Sequence, residues 1–231
     1  MKNDLKGKTV VITGGSSGIG AAAAKALRES SADVIITGRS EQTKLIAEET
    51  GCDYYLADYS RFSDVHKLAQ TLLDNYPRID VLANNAGALI AERRITIDGH
   101  EMTFQVNHLS AFLLTSLLKT RLEESNAVVI NTSSAAHIYG NIDFNDLESE
   151  RSYNLFRAYA NSKMMNILHA IEINRRFKRV KAVSFHPGGV ATGFSREHKG
   201  IMRLIYQSPL QNIFLIPPAK GADTLLWLIN G

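Results

Sequence analysis

Tyr159 and Lys163 stand four residues apart in the segment Phe156-Arg157-Ala158-Tyr159-Ala160-Asn161-Ser162-Lys163. On a helix, that spacing puts both side chains on one face. A free phenol titrates near ~10, and an adjacent cation favours the phenolate, lowering its pKa by roughly 1–3 units. Such a pair can hand a proton to a substrate and take one back near neutral pH. The same spacing also arises from plain surface packing, so the pair gains meaning only from its company. Asn107, a polar residue inside a largely apolar helical stretch, is a second candidate; it either bonds locally or serves a site.

A binding signal stands near the start, in Lys8-Thr9-Val10-Val11-Ile12-Thr13-Gly14-Gly15-Ser16-Ser17-Gly18-Ile19-Gly20. It reads as a β-branched strand, a glycine-rich turn and a helix opening near Gly18. Unpaired N–H groups at the positive end of the helix dipole suit a pyrophosphate. Gly14, Ser16, Ser17, Gly18, Ile19 and Gly20 are therefore candidate cofactor contacts. The spacing Gly14-x-x-x-Gly18-x-Gly20 departs from the common G-x-G-x-x-G pattern, and such turns also occur as plain structure.

The elements that must carry these residues alternate. Candidate strands are Lys8–Thr13, Asp33–Gly38, Cys52–Ala57, Asp80–Asn84, Ala127–Thr132 and Lys181–His186, with 3.6-period segments between them. This order predicts β-α-β units in a doubly wound parallel sheet with helices on both faces and ligands at the strand C-terminal ends. The residues just after each strand are therefore the ones to read. After the second strand, the place of the acid that commonly holds the ribose 2′-hydroxyl of NAD is taken by Gly38 and Arg39. The guanidinium fits the 2′-phosphate of NADP, or it is a solvated loop charge. Asp58, after the third strand, either accepts from an adenine amino group or caps the next helix. Asn85, Ala86 and Gly87, after the fourth, suit close backbone approach to a cofactor, and an ordinary turn equally well. The fifth strand delivers Ser133 and Ser134, and the sixth ends in His186-Pro187-Gly188-Gly189-Val190-Ala191-Thr192.

Composition bounds the class. The 231 residues are 45% apolar and 21% charged, with net charge +3 and Cys52 as the only cysteine. That is a soluble globular composition with one core, no internal disulfide and no metal-ligand spacing. Nothing in it argues for nucleic acid. The polar start, Met1 to Gly7, has neither a signal-peptide apolar region nor a membrane anchor, so the expected location is the cytoplasm.

Taken in order, Thr13-Gly14-x-x-x-Gly18-x-Gly20, Asp58, Asn84-Asn85-Ala86-Gly87, Asn107, Ser134, Tyr159-x-x-x-Lys163 and Pro187-Gly188 resemble the short-chain dehydrogenase/reductase family over nearly the whole chain. Details resemble the retinol-dehydrogenase-like branch: Asp98-Gly99-His100-Glu101, Val106-Asn107-His108-Leu109, Asn131 through His137, and the insertion between Ser134 and Tyr159. The resemblance implies a single Rossmann domain over residues 1–231. It also implies hydride exchange between an apolar alcohol or carbonyl compound and a nicotinamide cofactor, with NADP(H) preferred and NAD(H) possible. It assigns Tyr159 as acid/base and Lys163 as its partner on the nicotinamide ribose. Ser134 becomes the donor to the substrate oxygen, with Ser133 the alternative, and Asn107 a fourth member that distorts its helix and holds a water leading to the lysine. Pro187, Gly188, Val190 and Thr192 join the cofactor-binding set.

Two departures from the family pattern are expected: residues 1–7 do not read as the N-terminal anchor of membrane-bound branch members, and Leu228-Ile229-Asn230-Gly231 falls where a seventh strand would normally follow. The last strand is expected to be missing, either by truncation, the favoured reading, or because the sheet is completed by another means. Residues 193–217 are expected to form a substrate loop or lid, and two long helices, around Gly99–Glu124 and Phe156–Phe177, to support a homodimer. A non-catalytic dinucleotide sensor on the same fold is the alternative. Such proteins tend to lose the tyrosine–lysine pair, which is present here. An S-adenosylmethionine methyltransferase would explain neither Arg39 nor the Ser/Tyr/Lys set.

Overall fold

The computed structural model describes residues 5–189 and 216–230. β1 (Thr9–Thr13), β2 (Asp33–Gly38), β3 (Asp53–Leu56), β4 (Val81–Asn84), β5 (Val128–Thr132) and β6 (Lys181–Phe185) form one sheet, ordered β3-β2-β1-β4-β5-β6. Every pairing is parallel. Each expected strand is present, within one residue at either end. The chain runs outward from β1 to β3, returns, and runs outward again from β4 to β6. The reversal leaves a crevice between the C-terminal ends of β1 and β4, where ligands bind in sheets of this kind.

Among the described residues the sheet is covered by α1 (Gly18–Arg28), α2 (Glu41–Thr50), α3 (Phe62–Asn75), α4 (Ser110–Leu117), α5 (Lys119–Glu124), α6 (Leu155–Arg176) and α7 (Pro218–Asn230). Strand alternation divides the core in two. Val10 and Ile12 of β1 pack with Ala23, Leu27, Ile36 and Leu225 on the side of α1 and α7. Val11 packs with Leu68, Leu72, Leu114 and Ile173 on the side of α3, α4 and α6. Burying each such large apolar side chain contributes about 1.5–3 kcal/mol, so the central strand β1 is held from both faces.

The helical pattern expected from Gly99 to Glu124 is not one helix. It opens as a single α-turn, Met102–Phe104, widens into a π segment, Gln105–Leu109, and continues as α4. A break at Leu118 (ψ −1°) separates α5. The insertion before α6 is tied down by Glu148. Its side chain accepts from the Glu101 N–H at 2.6 Å and lies 2.7 Å from His100 Nδ1. Among the described residues no strand follows α7. Val190, Thr192 and most of the expected lid, 193–217, lie outside the described residues. Of that segment Ile216 and Pro217 are described, with the Ile216 N–H donating to the Gly189 carbonyl at 2.8 Å.

Candidate active site

The glycine turn and the end of β4 are built against each other. Gly14 has φ +68°, and a Cβ there would lie 2.8 Å from Ala86 Cα; both facts require glycine. A Cβ on Gly20 would lie 2.4 Å from the Gly14 carbonyl oxygen. Thr13 Oγ1 accepts from the N–H groups of Asn85 and Ala86, each at 2.9 Å, and Asn85 Nδ2 donates to the Thr13 carbonyl at 3.0 Å. Ser17 caps α1 without a side-chain bond, and no acid stands in the first turn. The first amides of α1 are thus available to an anion, and the residues present fit a dinucleotide pyrophosphate. Gly38 abuts Ser16, whose Oγ would lie 3.4 Å from a Cβ there, and Arg39 follows it exposed. Asp58 accepts from Ser60 N–H at 2.9 Å and Ser60 Oγ at 2.8 Å, while its own N–H donates to Asp64. It thereby shapes the turn into α3, whose N-cap is Arg61.

The chemical residues meet at the ends of β4 and β5. Asn154 caps α6, accepting from Arg157 N–H, and fixes where its first turns stand. Tyr159 is half-buried, and the Lys163 Nζ lies 5.5 Å from its ring centroid. Lys163 is buried, and its Nζ donates to the Thr132 carbonyl at 3.2 Å. Burial lowers its pKa to about 8, because an ammonium loses hydration there. A Cβ on Gly87 would lie 3.3 Å from both Lys163 Nζ and Asn107 Oδ1, so the β4 loop passes directly beside the amine. The two serines differ. Ser133 Oγ is buried and donates to the Lys163 carbonyl at 2.8 Å. Ser134 is half-buried, and its Oγ accepts from Ala136 N–H at 3.2 Å, which leaves its hydroxyl hydrogen to point elsewhere.

Asn107 sits in the π segment and clamps the loop after β4. Its Oδ1 accepts from Ala88 N–H at 2.7 Å, and its Nδ2 donates to the Ala88 carbonyl at 2.9 Å. Its own carbonyl accepts from Asn166 Nδ2 at 3.1 Å. Pro187 and Gly188 (φ +84°) stand just beyond β6. The structure thus brings Gly14–Gly20, Asn85–Gly87, Asn107, Ser134, Tyr159 and Lys163 to the strand C-terminal rim. Sequence reasoning quoted Thr13 within a motif without giving it a role, and did not single out Asn166, whose amide reaches the Asn107 carbonyl. The position of Asn166, one turn past Lys163, was the available signal for it.

A family profile for short chain dehydrogenases matches residues 8–200. A Streptomyces sp. (strain C5) protein proposed to be a daunorubicin C-13 ketoreductase is 44% identical over 232 residues, covering 97% of this chain and 78% of that one. Human retinol dehydrogenase 11 is 39% identical over 233 residues, covering 96% of this chain and 72% of that one. Among solved structures, a short chain dehydrogenase from Shigella flexneri 2a complexed with NADP superimposes with TM-score 0.73 at 25% identity, covering 100% of this chain and 94% of that one.

With a parallel sheet of this order and a profile match over most of its length, the chain belongs to the short-chain dehydrogenase/reductase family. It lies near the retinol-dehydrogenase-like branch and is an oxidoreductase acting on CH–OH groups and their carbonyl counterparts with a nicotinamide dinucleotide. Among the described residues no helix is long and apolar enough to cross a membrane.

Proposed function

We propose that the chain interconverts an apolar alcohol and its aldehyde or ketone with NADP(H), using Tyr159 as acid/base. The observation that carries this reading is Lys163, a buried ammonium whose pKa is shifted by burial alone, set beside Gly87 and the Tyr159 ring. Leaving a cation so poorly solvated is costly, and a phenol that must ionise gives it a use. When bound, the nicotinamide supplies or accepts the hydride. In reduction, the Tyr159 hydroxyl gives its proton to the substrate oxygen, and the Lys163 ammonium stabilises the phenolate left behind. Ser134 Oγ–H donates to the same oxygen as charge develops on it. Lys163 also bonds the nicotinamide ribose, and Asn107 keeps the loop after Gly87 in place. Gly14, Ser16, Ser17, Gly18, Ile19 and Gly20 hold the pyrophosphate, and Asp58, Asn85, Ala86, Gly87, Pro187, Gly188, Val190 and Thr192 complete the cofactor site.

Arg39 is the 2′-phosphate contact, a reading supported by its exposure beside the glycine turn and by the NADP bound in the Shigella relative. A lipophilic substrate is supported by Ile138 and Tyr139, 66% and 78% exposed just past Ser134, and by the retinol and daunorubicin ketone named for the relatives. A cytoplasmic location, supported by the single cysteine, and a homodimer through α4 and α6 belong to the same reading.

The deciding experiment follows NADPH absorbance with all-trans-retinal, decanal and an aryl ketone, and NADP⁺ with the matching alcohols. Tyr159→Phe is expected to lower turnover by at least about 100-fold while leaving the NADPH dissociation constant within about threefold. Near-normal turnover in that variant overturns the proton assignment, and NADPH binding without any turnover favours the sensor. Titration of NADPH against NADH tests Arg39. Arg39→Gln is expected to remove most of the preference for NADPH, and equal affinities in the parent protein overturn the assignment.

A further inference from the structure

Behind Lys163 lies a buried polar cluster that the proton transfer does not use. Asn166, 3% exposed, follows Lys163 by one turn of α6. Its Nδ2 donates to two carbonyls, Asn107 at 3.1 Å and Thr132 at 3.2 Å. The Thr132 carbonyl is also the one to which Lys163 Nζ donates. The Asn107 carbonyl belongs to the π segment, Gln105–Leu109. An amide turned end for end would set its Oδ1 against both carbonyl oxygens. His108 selects the orientation: its Nδ1 lies 3.0 Å from Asn166 Oδ1. A carbonyl oxygen only accepts, so Nδ1 carries the hydrogen. The His108 ring is itself held, stacked 6.0 Å from Phe104 at 11° and edge-on to His169 at 6.0 Å.

We propose that Asn166 is a positioning residue for Lys163, oriented by the Nδ1–H of His108. The assignment deepens the function proposed above and rests on it. Lys163 has a flexible four-carbon stem and three donors, and no carboxylate holds it in an ion pair among the described residues. By donating to the Thr132 carbonyl, the Asn166 amide fixes the acceptor that Lys163 shares, and its second bond ties that acceptor to the Asn107 carbonyl of the π segment. The remaining ammonium donors then face Tyr159 and the nicotinamide ribose. Without that bridge, the Thr132 carbonyl that anchors Lys163 loses its second donor and its tie to the π segment.

The test is a set of NADPH fluorescence titrations on the full chain, with melting temperatures recorded alongside. Asn166→Leu is expected to weaken NADPH binding by about fivefold or more. His108→Phe should act in the same direction and more weakly. His108→Asn restores a donor near the Nδ1 position and should return affinity to within about twofold of the parent. In a Lys163→Met background, Asn166→Leu should change affinity by less than about twofold, because a positioning residue has nothing left to position. Should Asn166→Leu fail to fold, the His108 pair decides alone. Additive losses in the double variant, or His108→Asn binding as weakly as His108→Phe, overturn the assignment. A neutral Lys163→Met, with turnover and affinity unchanged, overturns the proposed function and this assignment together.

Discussion

A lysine amine buried beside the Tyr159 phenol gives up hydration that its charged form needs. Burial holds the pKa of Lys163 at about 8 against an ordinary 10.5. Between those values the folded chain binds fewer protons at this group than the unfolded chain does, so stability rises with pH across that window. Below pH 8 the full penalty is present, on the order of 3 kcal/mol at about 1.4 kcal/mol per unit. Lys163→Met should therefore raise the melting temperature of the cofactor-free protein by several degrees at pH 7. The gain should shrink as pH climbs from 8 toward 10.5, and turnover should fall by about 100-fold or more. Calorimetry across that range checks it; a variant less stable than its parent at pH 7 would show that the amine's contacts outweigh its lost hydration.

At the scale of elements, the pairing of α6 with the π segment and α4 is polar where most helix contacts are apolar. His169 of α6 is buried beside His108 and Phe112, its ring 5.2 Å from that of Phe112, and it accepts from Asn131 Nδ2 at 3.3 Å. Burial first, and then His108, lower its pKa to about 4. The unfolded chain takes this proton near 6.5 and the folded chain only near 4. The stability it protects is whole above pH 6.5 and is lost as pH falls toward 4. Urea midpoints should drop between pH 7 and pH 5, and His169→Gln, which accepts without titrating, should flatten that drop. An unchanged slope would assign the acid sensitivity to other groups, His108 being the first candidate, since burial lowers its pKa as well.

Seen whole, the molecule leaves an apolar stripe over the same helices. Phe112, Leu168 and Ile171 are 50%, 45% and 55% exposed on α4 and α6. Exposed apolar groups gathered on one surface commonly mark a protein contact, here the homodimer proposed above. Sedimentation should find a dimer for the parent chain and a monomer for Phe112→Glu. Turnover per chain should be largely kept, because Phe112 is half exposed and is none of the residues proposed to touch cofactor or substrate. A parent chain that sediments as a monomer at micromolar concentration removes the dimer.

What the sequence determined by itself was whatever is written in local periodicity. The β-branched runs marked six strands, the turn Gly14–Gly20 marked the crevice, and the four-residue spacing of Tyr159 and Lys163 placed both on one helix face. Backbone sterics and side-chain period act over a few residues, so a linear reading reaches them. The tertiary structure supplied the contacts behind the rest, including two points, Ser134 and the helix at Asn107, that only the family resemblance had anticipated. It made Ser133 a buried donor to the Lys163 carbonyl and left Ser134 at the rim. It opened the helix around Asn107 into a π segment, with Asn166 reaching its carbonyl across 59 residues of chain. It tied the insertion to His100 through Glu148, 48 residues away. These are hydrogen bonds between groups far apart in sequence, and no propensity carries them: they exist only once the sheet has set the distance between its helices.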